Sequence, residues 1–167
     1  MKFFIIFFLL ISINNLRAEF FEDLSKIIDN NNKRLSYGIS VSDVDLDGNY
    51  EFIVTGFGYP NLALSFKNGK LKNINQQDIF TDPFRRTIGV AACDIDRDGF
   101  EEIYFLNTDT YSGVKRYSDR LIDIKDNNYF DLFELENNRK NLNLTAGRSV
   151  VSVSYTHLRA HETKWHL

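Results

Sequence analysis

Two short acidic stretches carry the residue types in this sequence that are best suited to bind a metal ion. Each has three aspartates at alternate positions, then a glycine, and then a glutamate at the ninth place, over 43–51 and 94–102. Calcium takes six to eight hard oxygen ligands, and alternate carboxylates in a tight loop can direct several of them at one centre. The glycine permits the sharp backbone reversal that such a loop needs. The predicted calcium ligands are the side chains of Asp43, Asp45, Asp47 and Glu51 with the carbonyl of Asn49 in the first loop, and the side chains of Asp94, Asp96, Asp98 and Glu102 with the carbonyl of Phe100 in the second.

The spacing and the flanks of these stretches distinguish them from helical calcium loops. The EF-hand loop places its bidentate glutamate at the twelfth position rather than the ninth. β-Branched and aromatic runs lie on both sides, for example at 39–42 and 52–55 around the first loop, and such runs are typical of strands. Each loop is therefore predicted to join two antiparallel strands. An acidic turn that holds no ion is the alternative, and two copies with the same five ligand positions favour calcium.

The sequence offers little other material for catalysis. All three histidines lie near the C-terminus, and His157, His161 and Glu162 do not follow the His-Glu-x-x-His order of zinc proteases. The single cysteine, Cys93, has no histidine or lysine near it in sequence and is predicted to pack in a strand. The prominent aspartates are already assigned to calcium, so no carboxylate pair for glycoside hydrolysis can be singled out. The chain is therefore predicted not to be an enzyme.

The two acidic stretches belong to a longer repeat. An offset of 51 residues relates them, and the same offset relates Gly38 to Gly89. Within the first copy, Asn68-Gly69 is a strong signal for a hairpin between two strands. A repeat of this length that contains several short strands predicts a modular sheet structure rather than one continuous sheet.

The repeat region is predicted to span 19–153. The first unit covers about 37–75 with four strands, and a connector separates it from a second unit of the same order at about 88–133. Residues at about 145–153 match the first strand of a third unit. Four-stranded antiparallel repeats are typical of β-propeller blades. The predicted fold is all-β: a partial β-propeller of two four-stranded antiparallel blades plus the first strand of a third.

The two ends of the chain are predicted to lie outside the repeats. Residues 1–18 carry Lys2 near their start, followed by an unbroken apolar run, as in a secretory signal peptide. An uncleaved membrane anchor is the alternative, although the run is shorter than the ~20 residues of a membrane span. Residues 154–167 resemble translated sequencing-adapter sequence and are predicted to be a non-native tail.

The formal net charge is −3 with no basic stripe, so nucleic acid is not an expected partner.

Four segments carry a family resemblance: Gly-Val-Ala-Ala-Cys-Asp-Ile-Asp-Arg-Asp-Gly at 89–99, Glu-Ile-Tyr-Phe-Leu-Asn at 102–107, Thr-Ala-Gly-Arg-Ser-Val at 145–150 and Tyr-Pro-Asn-Leu at 59–62. Over roughly 21–153 the chain resembles the cartilage acidic protein family, whose members carry FG-GAP or VCBS-type repeats. The resemblance implies a secreted, integrin-α-like propeller with calcium in its blade loops. Because propellers typically need 4–8 blades, the chain is expected to be an N-terminal fragment.

These observations lead to a functional hypothesis. The chain is expected to be a calcium-binding extracellular module for adhesion or binding, with a protein or a glycan as its partner. The loops at 57–60 and 108–113 are the expected recognition surface. The alternative is a fragment of an exported propeller hydrolase whose catalytic residues lie elsewhere. Asn143 begins a glycosylation sequon.

Overall fold

The computed structural model describes residues 21–75, 77–110, 112–126 and 128–152. The predicted signal peptide at 1–18, the predicted tail at 154–167 and the last residue of the predicted third unit, Val153, lie outside the described residues.

The first unit forms one antiparallel sheet whose strands follow chain order. Phe52 in its second strand lies opposite Val41 on one side and Leu64 on the other. Asn68 and Gly69 connect the last two strands with φ angles of 56° and 76°, and two positive φ values are what the tight Asn-Gly hairpin turn requires. The strands are β1 (Ile39–Ser42), β2 (Glu51–Val54), β3 (Leu62–Lys67) and β4 (Lys70–Asn73).

The second unit repeats this arrangement in a sheet of its own. Its central pair aligns Ile103 with Ile122, and its first strand has an irregular register between Thr87 and Gly89. The predicted all-β fold with two four-stranded antiparallel sheets is confirmed. The strands are β5 (Thr87–Cys93), β6 (Glu102–Asn107), β7 (Arg120–Lys125) and β8 (Asn128–Asp131).

The core lies between the two sheets. Side chains alternate between the faces of a strand, so every second residue of β2, β3, β6 and β7 points into this layer. β1 and β5 lie side by side. The buried cluster therefore joins two consecutive repeats in the way that neighbouring blades of a propeller pack. It contains Val44, Ile53, Ala63, Phe80, Val90, Ile103, Phe105, Ile122 and Ile124.

The connector between the two units contributes to this core. A short helix, α1 (Asp78–Thr81), places the Phe80 side chain at 0% exposure. The Phe80 ring meets the edges of Phe105 and Tyr129 at centroid distances of 5.2 and 5.6 Å. The side-chain amide of Asn61 donates to the Phe80 carbonyl at 2.9 Å and so holds the helix against the sheet. The segment between the two units was predicted only as a connector, and its role in packing carries no local sequence signal that was recognised.

Three short 3₁₀ helices complete the regular structure of the described residues, at Ser25–Ile27, Leu132–Glu134 and Arg139–Asn141. Cys93, which was predicted to pack in a strand, lies in β5 and is half-buried. None of the described helices has the length and apolar character needed to cross a membrane.

The start of the third unit lies against the second sheet without forming a ladder. Thr145 makes an isolated antiparallel bridge with Val114, and the Ser152 hydroxyl donates to the Ala92 carbonyl at 3.1 Å. Residues 146–152 contain no strand, although 145–153 was predicted to begin one. A ladder needs a neighbouring strand that exchanges backbone hydrogen bonds, and the described residues place a sheet face beside this segment instead.

The outer face of the first sheet is apolar and open. Phe52 and Phe66 are 41% and 62% exposed, and Ile39 and Val41 on β1 are also exposed. These side chains lie on the face opposite Ile53 and the core. An apolar sheet face of this kind usually marks a contact with another surface.

Candidate metal sites

The first acidic loop connects β1 to β2 and is organised by its first aspartate. The Asp43 carboxylate accepts hydrogen bonds from the backbone N–H groups of Asp47 at 3.0 Å and Gly48 at 2.8 Å. Gly48 has a φ of 87°, in the region that glycine adopts without steric cost. The loop therefore wraps around the carboxylate of its first residue, with the positive φ of Gly48 at the backbone reversal.

The second loop, between β5 and β6, repeats this geometry. The Asp94 carboxylate accepts hydrogen bonds from the N–H groups of Arg97 at 2.6 Å and Gly99 at 3.1 Å, and Gly99 has a φ of 96°. Both loops are hairpin connections between antiparallel strands. The prediction that they are not helical EF-hand loops is confirmed.

The ninth-place glutamates stand at the first positions of β2 and β6 and point back into their loops. Glu51 is 0% exposed, and its Oε2 accepts a hydrogen bond from the Val44 N–H at 3.1 Å. Glu102 Oε2 accepts the equivalent bond from the Ile95 N–H at 2.6 Å. In both repeats, therefore, the Oε2 atom of the glutamate is held by the backbone N–H of the second loop residue.

Three carboxylates in each loop bring one oxygen apiece within 4.8 Å of the others. In the first loop, Asp45 Oδ1 and Glu51 Oε1 are buried and accept no hydrogen bond of normal geometry from the described residues. A buried oxygen without a partner is costly, and a bound cation would satisfy both. Hard carboxylate oxygens are the donors that calcium prefers, so these residues fit that ion. The clustered residues are Asp43, Asp45 and Glu51 in the first loop and Asp94, Asp96 and Glu102 in the second.

The electrostatics of both glutamates favour a neutralising charge. Burial raises the pKa of the Glu51 carboxyl, against the hydrogen bond from Val44 and the effect of the neighbouring Ser65 hydroxyl, and the negative charges of Asp45 and Asp47 raise that pKa further. Burial also raises the pKa of Glu102, and the charge of Asp96 adds to the increase. A cation held among these groups would stabilise their charged forms.

The other predicted ligands stand outside the two clusters. Asp47 Oδ1 accepts hydrogen bonds from the backbone and side-chain nitrogens of Asn49 at 2.8 and 2.9 Å, and the first of these holds the pKa of Asp47 below its usual value. Asp98 Oδ1 accepts from the Phe100 N–H at 2.9 Å. Ligation by these two aspartates stays a prediction, as does ligation by the carbonyls of Asn49 and Phe100.

Both acidic loops lie in a segment that matches a known repeat family. The sequence model of the FG-GAP-like repeat family matches residues 43–105, which include both acidic loops. The chain is 42% identical over 136 residues to cartilage acidic protein 1 of Xenopus tropicalis and, equally, to that of Homo sapiens, covering 75% of this chain and 21% of each relative. It is 41% identical over 139 residues to the protein of the same name from Mus musculus, covering 77% of this chain and 22% of the relative.

The resemblance to the cartilage acidic protein family is confirmed. The chain spans about a fifth of the length of these relatives. None of the three names refers to an enzymatic activity.

A lysine stands beside the first acidic loop, at a position that no sequence motif indicated. Lys67 Nζ on β3 lies 3.3 Å from Asp45 Oδ2 and 3.8 Å from Asp47 Oδ2. Its hydrogen bond to Asp45 raises the pKa of Lys67. The lysine therefore offsets part of the negative charge of this cluster.

A tyrosine of the second sheet supports the same loop. The Tyr129 hydroxyl on β8 donates to the carbonyl of Val44 at 2.7 Å, and the N–H of Val44 donates to Glu51. Val44 thereby links the cluster of the first unit to the sheet of the second. The two bonded residues are 85 positions apart, so no local pattern could have indicated the contact.

Away from the two acidic loops, the buried carboxylate of Asp119 has a structural role. Asp119 is 0% exposed and accepts hydrogen bonds from the Tyr104 hydroxyl at 2.6 Å, the Asn107 N–H at 2.7 Å and the Asn143 side-chain amide at 2.5 Å. The ammonium of Lys115 also pairs with it. All of these groups belong to β6 or to the segments that pack beside it, so the network fastens those segments to the second sheet.

Proposed function

We propose that the chain is a calcium-binding extracellular β-propeller module that acts by binding a protein or glycan partner. The observation that carries the proposal is the pair of repeat-related carboxylate clusters, each assembled from residues 1, 3 and 9 of its loop. The similarity to cartilage acidic protein 1 and the FG-GAP-like repeat supports it. The alternative of a propeller hydrolase has no comparable observation in its favour.

The ion would have a structural task. Asp43, Asp45 and Glu51 would hold it in the first loop, and the equivalent three residues would hold it in the second. When bound, calcium supplies a positive charge that removes the repulsion among these carboxylates and, in the first loop, satisfies the buried oxygens of Asp45 and Glu51. The loops join the first and second strands of each sheet, so neutralising them would stiffen the edge of both sheets.

An extracellular setting suits such a site. Loops of moderate affinity fill only where calcium is plentiful, and extracellular modules typically bind it with dissociation constants of about 10⁻⁴ to 10⁻³ M. The predicted signal peptide at 1–18 is consistent with export.

Calcium titration by isothermal calorimetry tests the proposal directly. We expect two ions per chain, and we expect Asp45→Asn and Asp96→Asn each to weaken one of the two sites by about tenfold or more, because calcium affinity depends on the number of charged ligands. Asp78→Asn is the matched control, because Asp78 is exposed and lies in α1 rather than in a loop. Two unchanged sites in both loop variants would refute the ligand assignment.

Limited proteolysis gives an independent measurement. We expect a calcium chelator to increase cleavage within 43–51 and 94–102, since the carboxylates then repel one another and the loops open more often. Identical cleavage with calcium and with chelator would contradict the structural task of the ion.

A further inference from the structure

A cavity of about 600 Å³ opens between the two units at the end opposite the acidic loops. Residues just before β1 and β5 form part of its wall, together with the loops that follow β2 and β6. Phe57 and Thr108, which occupy equivalent positions in the two repeats, both line it. Cavities of roughly 300–1,000 Å³ are the usual size of small-ligand sites. Both loops that the sequence analysis expected to recognise a partner contribute to this cavity.

One wall is aromatic and holds an arginine in place. The Tyr37 and Phe57 rings pack edge to face with centroids 5.4 Å apart, and the guanidinium of Arg86 lies 5.5 Å from the Phe57 ring centroid. The backbone of Arg86 is fixed as well, since it forms a bridge with Phe57 and its carbonyl accepts from the Thr108 N–H at 2.8 Å. The charged group is therefore pre-positioned at the cavity by both its ring contact and its backbone.

The charge of the cavity lining is positive. Arg86 and Arg148 both line it, and Asp109 is the one acidic residue of the lining. Both oxygens of Asp109 accept from the backbone N–H of Arg116, at 3.0 and 2.8 Å. Within the described part of the chain, the Arg86 guanidinium donates no hydrogen bond to an acceptor and forms no ion pair. Its five donors are therefore available to a ligand.

We propose that this cavity binds a carboxylate-bearing peptide segment of a protein partner. Arg86 takes the carboxylate, Arg148 adds positive charge, and the Tyr37–Phe57 wall packs against the apolar side chain next to that carboxylate. A guanidinium presents a planar fork that matches a carboxylate in two parallel hydrogen bonds. This inference rests on the proposed function, because it names the partner chemistry of the same module.

The polar groups of the lining favour a peptide over a glycan. The Thr108 hydroxyl already donates to the Thr110 carbonyl at 2.8 Å, and the Thr110 hydroxyl donates to the Ser112 carbonyl at 2.9 Å. A sugar would bring many hydroxyl groups that need partners, and burying them unpaired is costly. A peptide that brings one carboxylate and one apolar side chain matches the arginines and the aromatic wall.

Two-dimensional NMR of the calcium-saturated chain tests this with a defined pair of probes. The probe is the dipeptide acetyl-Phe-Asp-amide, and the control probe is acetyl-Phe-Asn-amide, which has the same shape without the charge. We expect the acidic probe to shift the backbone signals of Phe57 and Thr108 and to bind at least about tenfold more tightly than its amide. Equal binding of the two probes would refute the proposal.

Variants of Arg86 test whether its guanidinium is the group that binds the acidic probe. We expect Arg86→Gln to reduce the affinity for the acidic probe by about tenfold and Arg86→Lys to give an intermediate value, because lysine keeps the charge but loses the fork. Arg139→Gln, an exposed arginine outside the cavity, is expected to leave the affinity unchanged. Full affinity in Arg86→Gln would overturn the assignment, since Arg86 is exposed and its replacement leaves the core intact.

A third measurement distinguishes a peptide partner from a glycan partner. It also distinguishes failure of this inference from failure of the calcium proposal. A sulfated chondroitin disaccharide that binds more tightly than the acidic dipeptide would replace the peptide by a glycan. Calcium stoichiometry is measured on the same samples. Two bound ions without probe binding would refute this inference alone, whereas probe binding without calcium binding would refute the calcium proposal alone.

Discussion

Lys67 and the acidic cluster beside it show how one side chain can tune an ion site. The ammonium lies within 4 Å of two aspartates of the first loop, and the second loop has no such ion pair among the described residues. A cation bound at the first loop has to compete with this positive charge. The two clusters share their carboxylates but differ in this counter-charge, so they are not expected to have equal affinities.

Replacing this lysine is therefore expected to strengthen calcium binding. We predict that Lys67→Gln raises the affinity of one site, roughly two- to fivefold, since exposed charge pairs have only modest effects. The measurement is calorimetric titration at low ionic strength, where the difference is largest. Lys70→Gln, an exposed lysine of the adjacent strand, serves as control. A lower affinity in Lys67→Gln would show that Lys67 supports the site rather than competing for it.

At the scale of elements, the two first strands approach each other closely. A Cβ atom placed on Gly38 would lie 2.9 Å from the Cα of Gly89, which is closer than such atoms come in real proteins. Gly38 precedes β1, and its backbone N–H donates to the Thr55 hydroxyl at 2.9 Å, so it cannot move away without breaking that bond. The glycines at equivalent positions of the two repeats therefore permit the sheets to pack side by side.

Adding one methyl group at this contact is expected to destabilise the fold. We predict that Gly38→Ala lowers the free energy of unfolding by about 1–3 kcal/mol, the usual cost of overpacking. Urea unfolding in saturating calcium measures it. Ser40→Ala, two residues further along the chain on β1, is expected to have a smaller effect, and equal stability of Gly38→Ala and the parent chain would rule out the close contact.

At the scale of the whole molecule, the two units are joined by packing and by hydrogen bonds, one of which reaches the first loop. Phe80 fills the space between them, and Tyr129 reaches from β8 to the Val44 carbonyl. Burial, together with the negative charge of Asp45, raises the pKa of Tyr129 to about 12. Because an unfolded tyrosine ionises near pH 10, the stability that depends on the neutral hydroxyl is complete below about pH 10 and is lost as the pH rises towards 12.

This linkage predicts a pH-dependent effect of Tyr129→Phe. At pH 8 the variant is expected to be about 1–3 kcal/mol less stable than the parent chain, because the buried Val44 carbonyl loses its donor. Between pH 10 and pH 12 that difference is expected to shrink, because the parent chain loses the contribution of Tyr129 while the variant has none to lose. Urea unfolding across this pH range checks it. A difference that stays constant with pH would contradict the role of the hydroxyl.

Much of the fold could be predicted because its signals are local. β2 and β6 begin at the glutamates that close the two loops, and the Asn68-Gly69 turn lies where the dipeptide indicated. The start of the third unit was harder, because residues 146–152 have the composition of a strand but lie against a sheet face. Strand identity depends on a hydrogen-bonding neighbour as well as on the residues themselves.

The sequence by itself determined the spacing of carboxylates in two loops and the repeat that contains them. The carboxylate spacing depends on residues at most eight positions apart, the range over which backbone turns and strand alternation act, and the repeat is visible because the same spacing recurs 51 residues later. Only the tertiary structure decided that Lys67 faces Asp45 across 22 positions, that Tyr129 holds Val44 across 85, and that Arg86 stands at an aromatic cavity. The physical reason is that the first contact joins distant segments within one sheet and the other two arise where the two sheets meet, and both depend on packing of the whole core rather than on any short pattern.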